Sequence, residues 1–142
     1  MRPLLIVMSL ILLVLSPPSV FAGPGTDLAA LAESIRQQAN ERADSAASRP
    51  AGLVEPLSLE DPFLDDMELF SLQALQLSRT LQSQGGAMDL QCIFRGMSED
   101  AASQVESFET VETGADQARL YRQISELMRD AVDIAPDADE EQ

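Results

Sequence analysis

The sequence has no histidine, no lysine and no tryptophan, and it holds a single cysteine. Without imidazole, Ser-His-Asp and Cys-His catalysis, histidine-containing zinc sites and histidine-ligated haem are all excluded. Aromatic residues are scarce at 4%, so any core must be aliphatic and rich in alanine. No basic stripe with interleaved aromatics exists, and the formal charge of −15 repels phosphates and anionic lipid headgroups. Nucleic acid is therefore not an expected partner. What remains is a globular composition, with 45% hydrophobic residues in 142, enough for one domain of modest size.

The first 22 residues differ from the rest. Arg2 precedes a run from Leu4 to Leu15, 12 residues without a charge, followed by Pro17 and Pro18. A membrane span needs about 20 apolar residues, whereas the apolar region of an export signal needs about 7 to 15. Val20 and Ala22 occupy the small-residue positions of a cleavage site, so residues 1–22 are expected to be a cleavable signal peptide. Removing them leaves 24 acids against eight arginines, a formal −16, in a chain beginning at Gly23. The expected location is outside the cytoplasm, periplasmic or secreted, with no stable membrane anchor after cleavage.

Between Pro62 and Pro136 lie 73 residues without proline, of which only nine are β-branched, a pattern that predicts helix. Asp61-Pro62 reads as an N-cap followed by proline at the first helical position, opening a helix that runs to about Gln84 before Gly85-Gly86. Its Phe63, Met67, Phe70, Ala74, Leu77 and Leu81 follow 4-3-4-3-4 spacing, and Leu64, Leu69, Leu72 and Leu75 widen the stripe, which predicts a central helix. A short helix over 88–95 is expected to stop at Gly96 as a glycine C-cap, and another to start at Ser98 as N-cap. Gly114 breaks the latter. Thr113 and Asp116 resemble a capping box for the last helix, which presents Leu120, Ile124, Leu127, Ala131 and Ile134 and pairs Arg122 with Glu126 and Arg129 with Asp133.

The expected fold class is thus all-α. A small bundle of four core helices occupies 62–134, with an N-terminal helical arm over 23–47 capped by Thr26. A linker containing Pro50 and Pro56 covers 48–61, just before Pro62, and an acidic disordered tail covers 135–142.

Candidate chemistry is sparse. Cys92, among Leu90, Ile93 and Phe94, reads as a buried structural thiol, since an odd cysteine in an exported protein is buried, paired between chains or functional. A sharper reading pairs Met88 and Cys92, at i and i+4, as soft ligands for Cu(I), with Met97 and Met67 in reach. Glu99, Glu106 and Glu109 project within roughly 80° of one another on a helix at 100° per residue, a face suited to a hard cation or a basic partner, or simply to water. Asp65 and Asp66 are accounted for by the helix dipole. No cofactor is indicated. The functional expectation is an exported acidic helical protein acting as a non-enzymatic binding or interaction module for a protein partner, a basic one being what its charge favours. The alternative is a small exported all-α enzyme whose Arg79, Arg95, Arg119, Arg122 and Arg129 supply cations for an anionic substrate, with a carboxylate as acid or base.

Overall fold

The computed structural model describes residues 22–141; the expected leader, apart from Ala22, lies outside the described residues. Four long helices make up the fold: α1 (Pro24–Ala47), α2 (Pro62–Gln84), α3 (Met88–Ser107) and α4 (Gly114–Ile134). A 3-10 turn (Phe108–Thr110) follows α3, and a one-turn helix, α5 (Asp137–Glu140), closes the described chain. No strand occurs among the described residues beyond an isolated bridge between Leu53 and Thr113.

Helix α2 starts as the sequence predicts, the Asp61 carboxylate accepting from the Phe63 N–H at 2.9 Å ahead of Pro62. It ends at Gly85, whose φ of 73° is the left-handed conformation glycine adopts without strain, and the Gly86 N–H reaches back to the Leu81 carbonyl. The 4-3-4-3-4 stripe is buried, but Leu69 and Leu72 are 45% and 58% exposed, so α2 is not the enclosed central helix that its composition suggests.

The two short helices expected on either side of Gly96 are one. Helix α3 runs unbroken through Gly96, which has no left-handed backbone, because Phe94, Met97 and Ala101 keep the 3-4 spacing and bury a continuous face. That burial outweighs the penalty of roughly 0.5–1 kcal/mol for an internal glycine. Ser98 is therefore not an N-cap. Its carbonyl and hydroxyl both meet the Ser71 hydroxyl at 2.9 and 3.0 Å, and Ser78 donates to the Gln91 carbonyl at 2.7 Å, which zips α2 to α3 as an antiparallel hairpin.

Helix α1 is a core member, not an arm. Leu28, Ala32, Ile35, Ala39, Ala43 and Ala46 are buried, and α4 lies antiparallel against them. Small residues allow this close packing, and a glycine stands at each end of the contact. A Cβ on Gly25 would sit 2.1 Å from the Ala135 carbonyl oxygen, and one on Gly114 would sit 2.1 Å from that of Arg49. Helix α4 is rolled relative to expectation: Tyr121 and Met128 are buried with Leu120, Ile124 and Ala131, whereas Leu127 and Ile134 are half-buried. With Gln38 of α1 bonded to Asp66 of α2, neighbouring helices run antiparallel throughout, an up-down-up-down bundle.

The flanking segments are structured too. The expected linker runs along the start of α4, where the Pro50 and Gly52 carbonyls accept from Ala115 and Gly114 at 2.9 Å and so satisfy orphan helix N–H groups. Thr113 completes the cap as predicted, accepting from the Asp116 N–H and donating to its carboxylate. The expected disordered tail instead buries Ala135 and Ala138. From it, Asp139 accepts from the N–H groups of Gly25 and Thr26 at 2.7 and 2.8 Å and from the Thr26 hydroxyl at 2.7 Å. The cap of α1 is thus Asp139, 113 residues away, and not the Thr26 side chain.

Candidate functional site

Where α1, α2, the 3-10 turn and α4 meet, one charge pair is set among aromatic rings. The Arg42 guanidinium forks onto Asp61, Nη2 to Oδ1 at 2.8 Å and Nη1 to Oδ2 at 2.9 Å. Its carbon lies 4.9 Å from the Phe63 ring centroid and 6.0 Å from that of Tyr121, whose hydroxyl accepts from Nη1 at 3.4 Å. Phe63, Phe108 and Tyr121 close around it with centroids 5.2 to 6.2 Å apart. Arg42 holds the Asp61 carboxyl below its usual range; burial opposes this and the Phe63 N–H assists. Burial pushes the Tyr121 phenol up, against the pull of the Arg42 hydrogen bond.

This cluster forms one wall of a cleft of about 460 Å³ lined by Arg42, Arg49, Glu55, Leu57, Gln117 and Tyr121, with Leu53 at its edge. Asp61 satisfies Arg42, while the cleft's other charged groups, Arg49 and Glu55, are exposed and form no ion pair among the described residues. The chemistry of the Arg42–Asp61 pair among its rings is that of a structural clamp. Sequence reasoning overlooked Arg42 and Tyr121 as partners. The available signal was an arginine three residues after Ala39 and seven after Ile35, on the flank of an apolar stripe.

A second cleft, about 320 Å³, runs between α2 and α3. Met67 is its floor, with half-buried Leu64 and Val105, and Ala102 and Leu59 form its edge. Asp65, Glu68 and Glu106 rim it, and no basic residue lines it.

The residues singled out from the sequence are dispersed. Cys92 is exposed, not buried, because the continuous α3 turns Phe94 inward and Cys92 away; Arg95 Nη2 approaches its sulfur at 3.9 Å. Met88 is 75% exposed one turn before it, while Met67 and Met97 lie in the core on the opposite side and are not brought to it. Glu99, Glu106 and Glu109 are exposed, Glu109 in the 3-10 turn, and only Glu106 lines a cleft. Among the described residues, no three His, Cys, Asp or Glu side chains are grouped to hold a metal ion.

Arg79, Arg95, Arg119, Arg122 and Arg129 are exposed and line neither cleft. Arg119 pairs with Asp116 at 2.7 Å, and Arg129 with Asp130 at 3.1 Å, where Asp133 was the expected partner. No helix among the described residues is long and apolar enough to cross a membrane. No family model, curated protein or solved structure matches the chain.

Proposed function

We propose that the protein is an exported, acidic, non-enzymatic interaction module that recognises a protein partner. The observation that carries this reading is the placement of two leucines in the segment between α1 and α2. Leu53 and Leu59 are 89% and 88% exposed, and each stands at the edge of a cleft. A leucine left in water beside a concavity gains nothing for the isolated fold, and it offers a partner apolar area worth about 25 cal/mol per Å² buried. The segment is nonetheless anchored, by its bonds to Glu112, Gly114 and Ala115, so that ordering it does not consume binding energy.

The enzyme alternative finds less support. It requires a guanidinium and a carboxylate held together at one reacting position, whereas Arg42 and Asp61 are paired with each other, Arg49 and Glu55 line the same cleft only as exposed side chains, and Arg79, Arg95, Arg119, Arg122 and Arg129 stand outside it. The test has two arms. Intact mass of the exported protein should show a chain beginning at Gly23, and retention of residues 1–22 would sink the export reading. Capture from the exported fraction should then yield a stoichiometric protein partner that Leu53→Ser with Leu59→Ser abolishes; a partner retained equally well by that variant would sink the interaction reading.

A further inference from the structure

We propose that the α2–α3 groove docks a partner segment that carries a bulky apolar side chain flanked by lysine or arginine. The proposal rests on the interaction-module reading and assigns it a face and a chemistry. Two features of the groove define the occupant. Its interior is apolar, with Met67 beneath and Leu64, Val105 and Ala102 at the sides, and its volume of about 320 Å³ is at the low end for clefts that take a ligand or peptide side chains. Its rim is anionic, with Asp65 and Glu68 on α2 and Glu106 on α3, and none of the three forms an ion pair among the described residues. An apolar side chain alone would fill the floor; basic neighbours are what the rim selects.

The sequence keeps this charge unopposed over a long range. The stretches that build the groove, 50–78 and 96–118, contain no arginine. A second copy of the same chain is thereby disfavoured as occupant, because it would bring another net-negative surface to a net-negative rim. The other cleft differs in kind, since two guanidinium groups, Arg42 and Arg49, line it beside a single carboxylate, Glu55.

The absence of tryptophan supplies the probe. A short synthetic peptide with one tryptophan and one leucine between lysines is titrated with the purified protein, and its indole emission is followed. Expected are a saturable blue shift, no shift for the same peptide with glutamates in place of lysines, and retention of most binding at physiological salt. Glu68→Lys with Glu106→Lys, and separately Ala102→Phe, should weaken binding by about tenfold or more, roughly 1.4 kcal/mol or above. Glu41→Lys with Glu126→Lys makes the same change in net charge at exposed positions on α1 and α4, and should weaken it far less. All four charge-reversal sites are exposed, and thermal melts of each variant verify folding.

Equal weakening by the two charge-reversal pairs would reduce the binding to bulk electrostatics and overturn the groove, leaving the interaction-module reading in place. Absence of saturable binding would overturn it as well. A concentration-dependent dimer broken by Ala102→Phe would hand the groove to a second copy, which also overturns the proposal.

Discussion

Replacing Asp61 by alanine removes two interactions at once, and their sum can be worked out from the geometry. The carboxylate caps α2 through the Phe63 N–H, a contact worth about 1 kcal/mol within a range of roughly 0.5–2. It also receives both arms of Arg42. Charge-assisted hydrogen bonds contribute about 1.5–3 kcal/mol when desolvated, but the two side chains are 33% and 20% exposed, so about 1–2 kcal/mol for the fork is the reasonable scale. Asp61→Ala should therefore cost about 2–3 kcal/mol, or roughly 10 °C in melting temperature for a domain of this size. Asp61→Asn keeps an acceptor for the cap and should cost about half as much.

Arg42→Met keeps the cap but gives up the fork and the cation over Phe63, itself worth about 0.5–1 kcal/mol. Urea unfolding followed by helical circular dichroism measures all three, and the Asp61→Ala/Arg42→Met cycle should give a coupling of about 1 kcal/mol or more. Tyr121 is the chain's one tyrosine, and there is no tryptophan, so intrinsic fluorescence reports this cluster directly. A coupling near zero, or an Asp61→Ala loss under about 0.5 kcal/mol, would refute the clamp.

The three internal glycines should respond in opposite directions. Gly96→Ala, with open space around the added methyl, should stabilise by about 0.5–1 kcal/mol, whereas Gly25→Ala or Gly114→Ala, each 2.1 Å from a backbone oxygen, should cost upwards of about 1–3 kcal/mol in urea melts. Acid should unfold the protein late. Asp61, held down by Arg42, Asp116, held down by Thr113, and Asp139, held down by the Gly25 and Thr26 donors against the cost of burial, all sit below the usual 3.8. Their stabilisation is complete above that value and lost as pH falls through the depressed ones, so stability measured from about pH 5 to 2 should drop only below about pH 4. Asp139→Asn should flatten part of that drop. Cys92 should react with a thiol reagent in the native state as fast as in urea, and protection relieved by denaturant would refute its exposure. Added NaCl should raise the melting temperature, because among the described residues 24 acids face four ion pairs, and screening relieves repulsion among the remainder; a falling midpoint would refute it.

Local signals in the sequence were readable where one residue acts on its neighbours. Asp61 before Pro62, Thr113 before Asp116 and the Gly85-Gly86 stop each act within five residues, and each stands where the sequence puts it. Gly96 and Ser98 carry equally local signals that the fold overrides. The face formed by Phe94, Met97 and Ala101 is buried only in the presence of the other helices, and no inspection of residues 88–107 alone reveals that reward. The same cause hid the role of α1, whose alanine face is weakly apolar by itself and becomes valuable only against α4. Exposure of Cys92 followed from the misplaced break, since a helix ending at Gly96 leaves its inward face undetermined. The candidate site was the least legible part. Arg42 meets Asp61 across 19 residues and Tyr121 across 79, and the groove exists only because α2 and α3 lie side by side.

These long-range contacts explain how a chain so poor in aromatics holds together. Three of its six aromatic rings gather at one junction, where they tie α1, α2, the 3-10 turn and α4 around a single charge pair. At the far end of the α1–α4 pair no ring–ring contact occurs among the described residues. Backbone approach at Gly25, burial of Ala135 and Ala138 and the Asp139 cap do the equivalent work with the smallest side chains available. The two ends thus fail by different routes: the aromatic end by loss of packing or of a charge, the alanine end by added volume or by protonation of Asp139. Beyond Phe63, the Asp61 cap and the Ala87 N–H donating to Glu141, the α2–α3 hairpin takes little part in either junction. Its outward surface, with the groove and exposed Leu69 and Leu72, is accordingly the part of the fold that substitutions reach without touching either lock.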